Sequence, residues 1–121
     1  MKVIIDLIED IRESIANAES FELRTGLLKT DPNDSSRLVY AGETPLNAYS
    51  LDVESRTLRF EIDGSHKKLR VGDVIPELLI LDMDAMMYEI RLNINAQYRN
   101  MEIVGFGKNE EQEAYLLFVS V

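Results

Sequence analysis

The stretch Tyr88-Glu-Ile-Arg-Leu-Asn-Ile-Asn-Ala-Gln-Tyr-Arg99 alternates between apolar and polar side chains over twelve consecutive residues. Because successive side chains of a strand point to opposite faces of a sheet, this period of two predicts a strand with one buried face and one solvent-exposed face. Such strands are common in antiparallel sheets. At roughly 3.3 Å per residue the strand would span about 40 Å, so we expect it to bend or to cross a curved sheet.

The N-terminal segment has a helical pattern instead. Over residues 3–18, apolar side chains recur at steps of three and four, which places them on one stripe of a helix whose other side is charged. The stripe consists of Ile4, Ile8, Ile11, Ile15 and Ala18, with Leu7 beside it. We expect an amphipathic helix over about 3–18 that packs on the sheet of its own chain, and docking of this helix on a partner or on a neighbouring subunit is the alternative.

Most of the remaining chain, about 21–121, consists of short apolar segments separated by turn residues, which is typical of strands. Besides 88–99, the pattern predicts strands at 21–29, 37–41, 46–54, 57–63, 67–71, 101–107 and 114–121. The last of these is apolar on both faces, so we expect it at the centre of a sheet or in an interface. Residues 74–87 favour a buried strand around Leu78-Leu-Ile-Leu81, and a helix that begins near Pro76 is the alternative.

These elements predict an α+β fold in one domain over residues 1–121. The N-terminal helix would pack on a mainly antiparallel sheet or on a partly closed β-barrel. Since no predicted strand alternates with a helix, we expect no parallel βαβ unit.

The amino-acid composition disfavours several classes of binding partner and indicates a cellular location. The net charge is −9, from 22 acidic and 13 basic residues, which disfavours binding to nucleic acids and to anionic membranes. The chain has no cysteine, so disulfides and thiolate chemistry are excluded. The N-terminus reaches Asp6 after three apolar residues, and no apolar run is long enough to span a bilayer. We therefore expect a cytoplasmic protein.

Catalytic motifs are missing from the sequence. The single histidine, His66, lies beside Asp63 and Ser65, but residues this close on one turn cannot stack as nucleophile, base and orienting group. Asp82 and Asp84 are spaced as paired carboxylates, and solvated charges at a chain reversal explain them best. We expect neither an enzyme nor a bound metal or cofactor.

Two clusters are candidate binding sites. Lys67, Lys68 and Arg70 form the one basic concentration in this acidic chain and could hold an anionic ligand. The second cluster is Met83, Met86 and Met87, because methionine fills irregular cores and also lines adaptable binding surfaces.

Two further segments precede two long strands with alternating polarity. They are Leu51-Asp-Val-Glu-Ser-Arg-Thr-Leu-Arg-Phe60 and Leu69-Arg-Val-Gly-Asp-Val74. Together they resemble the middle and end of a PilZ domain, a small β-barrel whose usual members bind a cyclic dinucleotide. The resemblance covers about residues 46–121 and implies a barrel. Members of that family hold the ligand with an R-x-x-x-R segment and a [DN]-x-S-x-x-G strand. Asp52 matches the first position of the strand motif, but Glu54 stands in place of Ser and Thr57 in place of Gly. No two arginines of this chain have the four-residue spacing of the first motif. The resemblance thus implies the fold without the ligand site.

The first functional prediction is a non-enzymatic intracellular module that binds another protein, or a second copy of itself, through the helix, the final strand or the methionine cluster. One alternative is a structural subunit of a ring such as those of phage tails and secretion machines, with the final strand between subunits. Another is a sensor that binds an anionic small molecule through Lys67, Lys68 and Arg70.

Overall fold

The computed structural model describes all 121 residues and contains two helices and eight strands. In chain order these elements are α1 Ile4–Ser14, β1 Glu22–Asp31, β2 Asp34–Pro45, β3 Ala48–Asp52, β4 Thr57–Glu61, α2 Val71–Leu78, β5 Glu89–Asn93, β6 Met101–Glu102, β7 Gly105–Asn109 and β8 Ala114–Ser120. Single 3₁₀ turns lie at Ala18–Ser20 and Ala85–Met87. The α+β class and the N-terminal helix confirm the sequence prediction.

The strands form two four-stranded sheets. Sheet A has the order β3-β4-β5-β6, and sheet B has the order β2-β1-β8-β7. In each sheet two antiparallel pairs flank a central parallel pair, β4 with β5 and β1 with β8. The sheets are not closed into a barrel. The barrel alternative is therefore wrong, and so is the barrel that the PilZ resemblance implies.

Helix α1 packs on the core of its own chain. The Asp6 carboxylate accepts a hydrogen bond from the Val3 N–H at 2.9 Å, which caps the first turn. The helix ends earlier than the predicted residue 18, because Ile15 is extended and Asn17 is left-handed with a φ of 57°. The apolar stripe of α1 joins a single core cluster of 24 buried residues to which both sheets and α2 contribute.

The predicted twelve-residue strand is wrong beyond Asn93, where β5 ends. Asparagine side chains divert the chain there into a turn. The Asn95 side-chain oxygen accepts hydrogen bonds from the N–H groups of Gln97 and Tyr98 at 2.8 and 3.0 Å. The Asn93 oxygen accepts one from the N–H of Asn100, which is left-handed with a φ of 53°. Such local side-chain bonds compete with the ladder of a sheet.

Helix α2 replaces the strand that the sequence favoured for 74–87, and the strand predicted at 67–71 is also absent. The Asp73 carboxylate accepts a hydrogen bond from the Arg70 N–H at 2.9 Å and caps this helix. Pro76 lies in the second turn of α2 without ending it. Because α2 connects the parallel strands β4 and β5, these elements form a βαβ unit, and the expectation that none exists is wrong.

Strand β8 lies between β1 and β7, which confirms the prediction of a central position. The strand predicted at 101–107 is divided instead. Its first part, β6, pairs with β5 in sheet A, and its second part, β7, pairs with β8 in sheet B. This segment therefore passes from one sheet to the other.

Tyr115 of β8 links sheet B to α1. Its ring is fully buried, and its hydroxyl donates a hydrogen bond to Asp10 Oδ2 at 2.5 Å. Burial, followed by the hydrogen bond and charge of Asp10, raises the pKa of Tyr115 above its usual value near 10. The contribution of Tyr115 to the free energy of unfolding is thus complete below about pH 10 and is lost as the pH rises, by about 1.4 kcal/mol per unit.

We expect Tyr115→Phe to lower the free energy of unfolding by about 1 kcal/mol at pH 8 and to make its decline above pH 10 less steep. Urea unfolding at pH 8, 10 and 11 measures both effects. Burial and carboxylate partners also raise the pKa of Tyr40 and Tyr49 to about 12, so the variant should retain part of the decline. Equal slopes in the two proteins would contradict this assignment.

Candidate functional site

The connection from α2 to β5 exposes a group of large apolar side chains. Leu79 is 48% exposed, Ile80 86%, Met83 78% and Met87 56%. These four lie within nine consecutive residues, 79–87, which we call the exposed segment. Contiguous apolar side chains on a surface mark sites of interaction more often than scattered ones do.

The backbone of the exposed segment is held in place by polar contacts. Asp82 Oδ1 accepts a hydrogen bond from the Ala85 N–H at 2.9 Å. Arg56 donates to both carboxylate oxygens of Asp84, at 2.9 and 3.2 Å, and its guanidinium lies 5.1 Å from the centre of the Tyr88 ring. These hydrogen bonds, with the charge of Arg56, hold the pKa of Asp84 below its usual value. The apolar side chains are thus presented on an ordered backbone.

An apolar groove of about 340 Å³ adjoins this segment. It lies between α1, the turn Ala18–Ser20 and α2, and its apolar lining comes from Ile8, Ile11, Ile15, Ala18, Val71, Ile75, Pro76 and Leu79. Helix α2 closely approaches the turn at Gly72, where a Cβ would lie 3.0 Å from the Glu19 carbonyl oxygen. Leu79 belongs to both the groove and the exposed segment, so the two meet at this residue, and together we call them the docking surface.

The charges near the docking surface are mostly acidic. Residues 71–88 include no Lys or Arg, and their four carboxylates are Asp73, Glu77, Asp82 and Asp84. All four carboxylates are exposed, and one of them, Asp84, is paired with Arg56. Arg12 and Glu19, on the groove itself, offset one another. A partner that complements this region therefore combines apolar and basic side chains.

The structure separates the three methionines of the predicted partner site. Met83 and Met87 lie on the docking surface, whereas Met86 is buried in the core. Leu79 and Ile80 were not among the predicted site residues, because the apolar run 78–81 favours a buried strand. The alternative helix from Pro76 was the one signal that could have placed them in a surface connection.

The three predicted anion-binding residues do not converge on one cavity. Lys67 and Lys68 line a cavity of about 280 Å³ with His66, and Arg70 lies outside it, at the start of α2. The loop is ordered by Asn47, which donates to the Lys67 carbonyl oxygen at 2.6 Å and accepts a hydrogen bond from the Asp63 N–H at 3.0 Å. None of the three basic side chains forms an ion pair. Their role in binding stays a prediction.

The remaining polar candidates have structural partners. Asp63 accepts a hydrogen bond from the Ser65 N–H at 2.9 Å, which lowers the pKa of its carboxyl group, and no hydrogen bond joins it to His66. Asp82 and Asp84 hold the exposed segment, as described above. No group of three or more His, Asp or Glu side chains has the arrangement of a metal site.

Comparison of the chain with protein-family models, with curated proteins and with solved structures finds no match. Neither helix has the length and apolar character needed to cross a bilayer.

Proposed function

We propose that this protein is a non-enzymatic, intracellular protein-binding module whose docking surface holds a basic amphipathic helix of another protein. The observation that carries the proposal is an apolar groove between α1 and α2 that meets a segment of four exposed apolar side chains at Leu79. Docking of an amphipathic helix in an apolar groove is a recurring mode of protein recognition.

Burial of exposed side chains would supply most of the affinity. Ile80 and Met83 are almost fully solvated, and complete burial of such a side chain contributes about 1.5–3 kcal/mol. The hydrogen bonds of Asp82 and Asp84 already order the backbone beneath them, so association loses little further backbone entropy and the remaining cost is that of the side chains. Flexible methionines also adapt to the shape of the partner.

Charge argues for a basic partner and against a second copy of this chain. Asp84 is already paired with Arg56, and the other three carboxylates of residues 71–88 favour Lys and Arg at the edges of the partner helix. A second copy carries the same net charge of −9 and would be repelled. The ring alternative also loses its predicted interface, because both edges of β8 are already paired with β1 and β7.

The test uses two synthetic helical peptides that share a leucine-rich face and carry either Lys or Glu on the polar face. We expect the Lys peptide to bind in a fluorescence-anisotropy titration and the Glu peptide to bind much more weakly. The double variant Ile80→Asn, Met83→Gln should weaken binding of the Lys peptide by about a hundredfold or more. Because both side chains are exposed, this variant should unfold at nearly the same temperature as the wild type.

Leu38→Gln is the matched control, because Leu38 is an exposed apolar residue of β2 outside the docking surface. Its affinity for the Lys peptide should equal that of the wild type. Equal binding of both peptides, or unchanged binding to the double variant, would reject the proposal.

A further inference from the structure

The face of sheet A that points away from the core is polar. Along β4 and β5, Leu58, Phe60, Ile90 and Leu92 point into the core, and the alternate side chains point to the opposite face. The largest cavity of the structure, about 630 Å³, opens on that face. Its charged and amide side chains are Asp52, Arg59, Glu61, Asn93, Arg99 and Asn100.

Arg59 is fixed in this cavity with part of its guanidinium unused. Its Nη1 donates to Asp52 Oδ2 and its Nε donates to Asn100 Oδ1, both at 3.0 Å. Nη1 also lies 3.3 Å from Ser55 Oγ, whereas Nη2 has no hydrogen-bond partner. A guanidinium held in this way offers a preorganised donor to an incoming oxyanion.

Asn93 connects the two sides of the cavity. The residue is only 6% exposed, and its Nδ2 donates to Glu61 Oε1 at 3.2 Å. Its Oδ1 accepts a hydrogen bond from the N–H of Asn100 at 2.8 Å, which fixes the turn that carries Arg99. Glu61 Oε2 makes no hydrogen bond, and Arg99 forms neither a hydrogen bond nor an ion pair. One carboxylate oxygen of the half-buried Glu61 and the guanidinium of the exposed Arg99 are therefore free on either side of the buried Asn93.

We propose that this cavity binds a zwitterionic small molecule, a free α-amino acid or a short peptide. The carboxylate of the ligand is held by Arg99 and Arg59 Nη2, and its ammonium group by Glu61. The cavity is lined by two acidic and two basic side chains, so its charges balance. In a chain with a net charge of −9, such a site favours a ligand that carries both charges over a polyanion, which Asp52 and Glu61 would repel. The volume lies in the range of small-molecule sites.

The experiment is a thermal-shift screen of the full chain against the common L-amino acids and a set of dipeptides at millimolar concentration, followed by calorimetric titration. We expect at least one of these compounds to raise the unfolding midpoint by several degrees. Its N-acetylated and C-amidated derivatives, which each lack one charge, should have no effect. Binding by amino acids but not dipeptides, or the reverse, identifies the size of the ligand.

Three variants test the assignment of residues. Arg99→Ala and Glu61→Gln should each weaken binding roughly tenfold to a hundredfold, and the side-chain amide oxygen that Glu61→Gln introduces can still accept the hydrogen bond from Asn93. Arg37→Ala, which removes an exposed, unpaired arginine of β2 in the other sheet, should bind as the wild type does. A response to inorganic phosphate or a sugar phosphate instead of the zwitterions, no response at all, or unchanged binding by Arg99→Ala would overturn the proposal.

Discussion

Replacing Leu7 with Ala is expected to lower the free energy of unfolding by about 2–5 kcal/mol. Leu7 is completely buried on the apolar stripe of α1 and belongs to the core cluster that both sheets share. Its truncation removes buried apolar surface and leaves a cavity that α1 cannot close, because the Tyr115–Asp10 hydrogen bond also ties the helix to β8. Urea unfolding followed by circular dichroism measures the change.

Glu9→Ala on the same helix is the control. Glu9 is exposed and makes no hydrogen bond or ion pair, so its replacement should change the free energy of unfolding by less than about 0.5 kcal/mol. A Leu7→Ala variant as stable as the Glu9→Ala variant would mean that α1 does not belong to the core. That result would revive the alternative in which this helix docks on a partner.

The success of the α1 prediction and the failure of the long-strand prediction have different physical causes. A helix with one charged side must bury its other side, so the spacing of the isoleucines was sufficient to predict α1. The alternation through 88–99 was equally regular. A hydropathy pattern, however, does not show that the side chains of Asn93 and Asn95 can accept hydrogen bonds from backbone N–H groups. Side-chain hydrogen bonding ended the strand, and no apolar pattern could have shown it.

The candidate sites were less predictable than the fold. An apolar run such as Leu78-Leu-Ile-Leu81 has the same pattern whether it is buried or exposed, and only the packing of α2 on the core decides which. Arg59 and Arg99 are far apart in the sequence. They line one cavity because the βαβ unit pairs β4 with β5 and because the turn after β5 folds back over sheet A. Both the strand pairing and the position of the turn depend on contacts between residues that are distant in the sequence, so no local pattern predicts them.

Gly26→Ala should lower the free energy of unfolding by about 1–3 kcal/mol, because the side chain of Phe118 occupies the space that a Cβ would need. Phe118 lies on β8 between β1 and β7. A Cβ on Gly26 would lie 2.5 Å from Phe118 Cδ1, and one on Gly107 would lie 2.6 Å from Phe118 Cε2. The ring also meets Tyr40 edge-on, with 6.5 Å between ring centres, so it cannot move freely toward β2.

Gly105→Ala is the matched control for this contact. Gly105 pairs directly with Phe118 in the register of β7 and β8, yet a Cβ there would have no heavy atom within 4 Å. Since Ala restricts the unfolded chain more than Gly does, this replacement should be neutral or slightly stabilising. If Gly26→Ala were as stable as Gly105→Ala, the ring of Phe118 would not cover Gly26.

A double-mutant cycle separates steric overlap from any other cost of Gly26→Ala. In a Phe118→Ala background the ring is absent, so the added methyl group has space and its cost should fall below about 0.5 kcal/mol. The difference between the two backgrounds is then the energy of the clash itself. A penalty of the same size in both backgrounds would show that the cost does not come from Phe118, because its ring is present in only one of them.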